Sequence, residues 1–331
     1  TPEAYLSKDG LNVVISVQQE EVFRIPVINI EGIVTFGYMG ASPGVMKLCS
    51  DNGISLTFLS PQGRFISRVQ GATKGNVLLR KKQYQLSDDE SWSLHAARLM
   101  IGGKIQNYRN ILRRYIRDYG ENEDINRAVQ VLERAKRDVL KAQDKTELIG
   151  YEGMASNAYF EVLPILILNQ KTDFPFHGRN RRPPKDAVNA MLSFAYTLIA
   201  NDVAAALETV GLDPYVGFLH TLRPGRTALA LALDMMEELR AYLGDRFILS
   251  LINKRQISVK DFLFQGDNGV VMTDKGKKTF ITAWQARKRE VIIHPYLNEK
   301  VEIGLLPYVQ AMLMARYIRQ DIDDYPVFLI K

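Results

Sequence analysis

The sequence predicts an α+β protein of two domains, a small N-terminal β-rich domain over residues 1–86 and a larger all-helical domain over 87–331. Three observations carry this. Short runs of branched and aromatic residues, punctuated by Gly, Pro, Asn and Asp, fill the first quarter of the chain. From Asp88 onward the apolar period changes from two to about 3.6. A chain of 331 residues, 46% of them apolar, can bury cores in two domains of ordinary size. That apolar content also excludes a disordered chain. The formal net charge of +6 favours a polyanionic partner if the basic residues cluster. One cysteine, Cys49, excludes an internal disulfide and a multi-cysteine metal site, and fits a reducing cytoplasm. The opening TPEAYLSKDG lacks the basic-then-apolar pattern of a signal peptide, and no apolar stretch reads as long enough to span a membrane. The expectation is a soluble cytoplasmic protein with no membrane partner.

In the first domain, strands are expected at Val13–Val17, Val22–Val27, Ile30–Phe36, Ile54–Leu59 and Gly63–Val69. One short helix interrupts them, with Ser42 as its cap, Pro43 in its first turn, Gly53 beyond its end and Cys49 as a packing residue. No acid, base or nucleophile cluster occurs here. The domain reads as a dimerisation or docking element, or as a basic surface using Arg64, Arg68 and Lys74.

The helical part begins with a segment near 88–118 carrying Arg109, Arg113 and Arg117 at helical spacing, with Lys104 and Arg114 close by. Such a stripe either tracks a phosphate backbone or is a solvated face. Asp124–Lys145 is amphipathic and structural. In LIGYEGMASNAYFEVLPILIL, residues 148–168, Glu152 stands at the expected helix start and reads first as a dipole partner. Gly153 beside it leaves room for a backbone or a ligand.

The loop 173–186, DFPFHGRNRRPPKD, crowds Arg179, Arg181, Arg182 and Lys185 into seven residues. Like charges so close repel unless an anion sits among them, and arginine forks match phosphate oxygens, so a nucleic-acid backbone is the natural ligand. His177 reads as a hydrogen-bonding residue. Asp186 caps the next helix, which ends before Gly211 and carries a thin polar stripe of Asn189, Ser193, Tyr196 and Thr197 that either lines a site or satisfies internal hydrogen bonds. In PYVGFLHTLRPGRTALALALDMMEELR, residues 214–240, the run Thr227–Met236 is small and apolar except for Thr227 and Asp234, the pattern of a helix buried on nearly all sides. A buried carboxylate needs a proton, a cation or a metal ion. His220, fourteen residues earlier, could share its pocket, with Glu237 or Glu238 one turn beyond. A core histidine bonded to a core aspartate is the alternative. The basic stretch 273–290 is either phosphate-facing or solvated, Ile303–Gln320 is amphipathic, and the tail DYPVFLIK reads as an exposed apolar segment that docks on another element or chain.

The segments GYEGMASNAYF, GRNRRPPKDAVNAMLSFAYTL and DPYVGFLHTLRPGRTALALALDMMEELR, in this order behind a small β domain, resemble the CRISPR-associated integrase, which inserts new spacers into the CRISPR array of an antiviral defence system. The ending RQDIDDYPVFLIK resembles the branch found in subtype C of the type I systems. One departure is Ala241 after Arg240, where many members have proline. The resemblance implies that Glu152, His220 and Asp234 are catalytic and hold a divalent ion. Two oxygen donors and one imidazole with open positions suit Mn²⁺ or Mg²⁺ better than a closed zinc site. It implies a metal-dependent DNA endonuclease and integrase in which 3′-hydroxyls of the incoming prespacer attack phosphodiesters of the CRISPR repeat. Arg223 and Arg226 would hold the target phosphate and the Arg179–Lys185 loop the flanking strand. It further implies a homodimer joined through the β domain and a small second adaptation protein as partner. A metal-dependent nuclease or phosphodiesterase unrelated to spacer insertion, and a non-catalytic DNA-binding scaffold, are the alternatives.

Overall fold

The structure, a computed structural model, describes residues 3–330 except 31, 38–39, 62–64, 70, 72–76, 221–228 and 267–268. Arg64, Lys74, Arg223 and Arg226 therefore lie outside the described residues. Contacts within the chain divide it into two compact units, Thr1–Asn76 and Val77–Lys331.

In the first unit β1 (Ala4–Asp9), β2 (Asn12–Val17) and β3 (Glu20–Pro26) form an antiparallel sheet in sequence order. β4 (Gly32–Phe36) pairs in parallel with β5 (Ser55–Leu59), and β6 (Phe65–Val69) adds antiparallel to β5. The parallel pair needs a crossover, which α1 (Pro43–Asp51) supplies. Ser42 accepts from the Val45 N–H at 3.2 Å as its cap, Gly53 follows its end with φ +69°, and Cys49 is fully buried among Leu6, Val13, Val45 and Leu56. β1 is absent from the strands expected of the sequence because only Leu6 among its residues enters the core, which leaves no alternating pattern to read.

The second unit begins ten residues before the expected boundary, 77 against 87. The stretch expected to separate the domains is the middle of α2 (Val77–Asp88). The buried positions of α2 are Leu79, Gln83 and Leu86, spaced as a helix face whose central member is polar. Gln83 earns its burial by donating to the carbonyls of Asp213 and Val216, both at 2.8 Å, and accepting from the Asp213 N–H. A glutamine in that position hides the apolar period from a sequence reading.

Then follow α3 (Glu90–Tyr119), α4 (Glu123–Val139), α5 (Lys145–Val162), α6 (Ala187–Val210), α7 (Ala230–Leu239), a π-helical turn (Arg240–Asp245) and α8 (Arg246–Asn253). The caps are local: Asp89, Asn122, Asp144 and Asp186 each accept from a first-turn N–H, and Gly211, with φ +90°, ends α6. The unit is dominantly but not wholly helical. Two antiparallel ribbons, β7 (Phe262–Phe264) with β8 (Val270–Met272) and β9 (Val291–Ile293) with β10 (Lys300–Glu302), flank α9 (Asp274–Lys288). Strands of three residues are too short to show a period. α10 (Leu306–Ile318) closes the helical set.

Two further expectations are corrected. By length and composition α6 does pass as a membrane span, with 24 residues and mean hydropathy 1.4, yet 67% of that window is buried inside the protein, so it is a core helix. The terminal segment docks on another element as expected and is therefore not exposed: Tyr325 and Phe328 are 2% and 1% accessible. Asn107 on α3 holds this tail, donating to the Phe328 carbonyl at 2.8 Å and accepting from the Ile330 N–H at 2.9 Å.

Candidate active site

Glu152 lies in the body of α5, seven residues past its first position, so it is not a partner of the helix dipole. Its Oε1 accepts from Ser156 Oγ at 2.7 Å and is in contact with the Lys104 ammonium from α3. Among the described residues, no atom outside its own stretch of helix lies within 4 Å of where a Cβ on Gly153 would stand, so no neighbouring backbone uses that space. Lys104 is 2% accessible and also pairs with Glu237 Oε2 of α7 at 2.8 Å. Two carboxylates from different helices thus converge on one buried positive charge. Arg240 closes the group from the π-helical turn, 2.9 Å from Glu237 Oε1.

The electrostatics follow from this crowding. Burial opposes ionisation of Glu237, but Arg240 and Lys104 override it and bring its carboxyl down to about 2. Burial also works against the Lys104 charge, and the Glu237 and Glu152 carboxylates outweigh it, leaving the ammonium above its ordinary value.

His220 and Asp234 meet as expected, but in a defined way. His220 belongs to the irregular segment after α6, and its Nδ1 lies 2.5 Å from Asp234 Oδ1. Asp234 Oδ1 also accepts from the His220 N–H at 3.0 Å, and Oδ2 accepts from the N–H groups of Phe218 and Leu219 at 2.6 and 2.9 Å. A carboxylate offers about four acceptor directions. All are used, so Asp234 anchors the Gly217–His220 turn and fixes the ring of His220. Gly217 is obligatory there, since an added Cβ would stand 2.6 Å from Asp234 Oδ2. Nε2 of His220 has no partner among the described residues, and its ring is 40% accessible. Burial lowers the His220 pKa, but the Asp234 hydrogen bond and charge raise it above its ordinary value.

The other expected site residues divide. Glu238 faces away from this group: it is buried, accepts from Gln310 Nε2 at 3.0 Å and also from Tyr325 and the Phe328 N–H, so it serves the tail. Asn189 Oδ1 and Ser193 Oγ accept from the Arg179 guanidinium at 2.8 and 3.1 Å. Tyr196 lies between Arg179 and Arg240, whose guanidinium carbons stand 5.4 and 5.0 Å from its ring centroid, and donates to Asp245 Oδ1 at 2.6 Å. Burial pushes Asp245 up to about 6 against these cations and hydroxyls. Arg179 is therefore a half-buried organiser of the loop, whereas Arg181, Arg182 and Lys185 are exposed. Of the stripe on α3, Arg109 pairs with Glu133 at 3.2 Å and Arg117 with Asp118 at 2.9 Å.

Lys104, Arg240 and Asp245 are the site residues a sequence reading misses. Lys104 looks like one more surface base of α3, and only an acidic partner brought from another helix distinguishes it. Among the described residues no three His, Cys, Asp or Glu side chains stand close enough together to hold a metal ion. The donor chemistry nevertheless fits one: Glu152 and Glu237 already share a cation position, filled by the Lys104 ammonium, within electrostatic reach of His220.

The profile of the family described as CRISPR associated protein Cas1 matches residues 1–286. The CRISPR-associated endonuclease Cas1 1 of Chlorobaculum tepidum is 48% identical over 332 residues, covering 99% of this chain and 96% of its own. A CAS1 protein from Thermotoga maritima superposes with a TM-score of 0.81 over 99% of this chain and 97% of that one, at 23% identity. A casposase bound to integration product gives 0.82 over 98% and 90%, at 20% identity, a likeness of fold. Motifs, fold and relatives spanning nearly the whole length agree, and the chain belongs to the Cas1 family of CRISPR-associated proteins.

Proposed function

We propose that the protein is a metal-dependent DNA endonuclease and integrase that joins prespacer 3′-hydroxyls to the CRISPR repeat. The observation that carries this reading is the convergence of Glu152 and Glu237 on one cation position, within electrostatic reach of a histidine whose Nδ1 is already committed. Family membership and the endonuclease name of its relatives support it. Glu152, Glu237 and Nε2 of His220 would hold the ion, Mn²⁺ or Mg²⁺ by hardness of the donors. Asp234 enters as the residue that fixes the His220 tautomer and ring, the usual task of a carboxylate behind a liganding imidazole. Bound there, the ion would neutralise charge on the phosphoryl oxygens of the scissile phosphodiester.

The chain's own residues do the rest. A prespacer O3′–P bond forms as the repeat's O3′–P bond breaks, so the attacking hydroxyl loses a proton and the departing O3′ gains one. The exposed Arg181, Arg182 and Lys185 would lie along phosphates without reading bases, and Arg179 holds their loop to α6. In the first unit the apolar side chains of Val22, Phe23, Phe65 and Ile66 are 45–55% accessible and available to a second copy. A small second adaptation protein would complete the assembly. The test is strand transfer of a prespacer into a supercoiled plasmid bearing the repeat, with manganese or with chelator. Joining should require the ion and be lost in Glu152→Gln; joining that persists in chelator, or DNA binding with neither nicking nor joining, would replace this reading with that of a scaffold.

A further inference from the structure

A cavity of about 510 Å³ opens in the second unit between the end of α3, α8 and α9. Ten residues of α3 separate its Arg114 from Lys104, about 15 Å at ~1.5 Å per residue, so it is distinct from the carboxylate pair. Its charges do not balance. Arg114, Arg246, Lys254 and Arg287 line it against two carboxylates, Asp118 and Glu290. Asp118 is taken by Arg114 at 3.3 Å and Arg117 at 2.9 Å, and Glu290 by Arg287. Arg246 and Lys254 have no ion-pair partner among the described residues. Burial lowers the Arg246 guanidinium from its ordinary value, and the charges of Arg114 and Arg287 lower it further against the attraction of Tyr242 and Glu290. Arg246 is nonetheless held in place, because it and Arg287 both lie over the ring of the buried Tyr242, at 5.4 and 5.0 Å from its centroid.

An anchored, half-buried cation with no ion pair of its own among the described residues, repelled by two arginines and offset only by a carboxylate already shared with Arg287, is suited to hold an anion. The same cavity presents Tyr115 and Tyr119, whose ring centroids lie 5.0 Å apart, and Tyr119 is 62% accessible. Exposed tyrosines beside arginines form a stacking platform for an unpaired base. The volume suits one nucleotide and not a duplex.

We infer that this cavity binds one nucleotide of a single DNA strand, with its phosphate on Arg246 and its base stacked on Tyr119. The inference rests on the proposed action on DNA, and extends it to a second contact outside the carboxylate site.

The test is fluorescence anisotropy with a labelled oligothymidine single strand and a blunt duplex of equal length, in chelator so that no chemistry occurs. Arg246→Gln should weaken single-strand binding about ten-fold, the loss expected for one charge-assisted hydrogen bond, and reduce its salt slope by about 0.7. Duplex binding should change less than about two-fold. Tyr119→Ala lies on the surface and keeps the decision clear if Arg246→Gln fails to fold; it should weaken the single strand about five-fold or more. Equal losses on both DNA forms, or none in either variant, overturn the inference. Strand transfer by the wild type is read alongside. Variants that bind normally in a protein that joins DNA ends overturn the cavity alone, whereas a wild type that neither binds nor joins DNA overturns the proposed function with it.

Discussion

A carboxylate that already accepts four hydrogen bonds has little left to offer an ion, and Asp234 is in that state. Asp234→Asn turns one acceptor oxygen into a donor facing N–H groups, so in chelator the variant should be about 1–3 kcal/mol less stable than wild type. Glu152, with a quarter of its side chain accessible, has a different part. Glu152→Gln should melt near wild type in chelator but lose the rise that manganese gives the wild type through linkage. Thermal melts with and without the ion compare the two; an Asp234→Asn protein as stable as wild type and blind to manganese would make Asp234 the ligand. Glu238 sets a pH window. Burial holds its carboxyl at about 7 in the fold against an ordinary 4.5, despite hydrogen bonds from Tyr325 and Gln310. The folded state therefore binds this proton more tightly, and the contribution is complete below about pH 4.5 and lost as pH rises through 7, at most about 3 kcal/mol. Urea midpoints at pH 5 and pH 8 should differ in wild type, and the difference should shrink in Glu238→Gln, which cannot ionise; an unchanged pH difference would assign the titration elsewhere.

At the scale of elements, α2 is where sequence and structure part most clearly. Arg80, Lys81 and Lys82 lie inside a helix fastened through Gln83 to the segment after α6. Limited trypsinolysis should spare these three bonds under conditions that cut exposed loops; prompt cleavage at Lys82 would show α2 opening on its own. What the sequence made legible were features with a local cause: Ser42 and Asp186 as caps, Gly211 as a stop, Thr227–Met236 as a buried helix in its described part. His220 and Asp234 could be paired in advance because a carboxylate on an apolar helix demands a partner. What stayed hidden depends on contacts between distant segments. Lys104 meets acids from α5 and α7, Glu238 turns to the tail, and the tail looks exposed until Asn107, more than two hundred residues earlier, takes its backbone. The three-residue ribbons hid for want of length. Of the proposed ligands, Glu152 and His220 are legible in the motifs, whereas the proposed sharing of tasks between Asp234 and Glu237 rests on the turn at Gly217, whose geometry no spacing reveals.

For the molecule as a whole, the proposed assembly surface and the proposed chemistry belong to different units. Phe23→Glu places a charge at a position of the first sheet that is 55% accessible. Light scattering should show a dimer for the wild type and a monomer for the variant; a variant that remains a dimer would move the interface to another face. The second unit holds the feature with the widest consequence, the ammonium of Lys104 between two acids. Acidic clusters that wait for a metal usually pay in mutual repulsion while empty, and many such proteins collapse when starved of it. Here the repulsion is quenched from within. Chelation should silence the protein without denaturing it, and a chain made during metal scarcity would be complete in shape, stored in an idle form and restored to work when the ion returns.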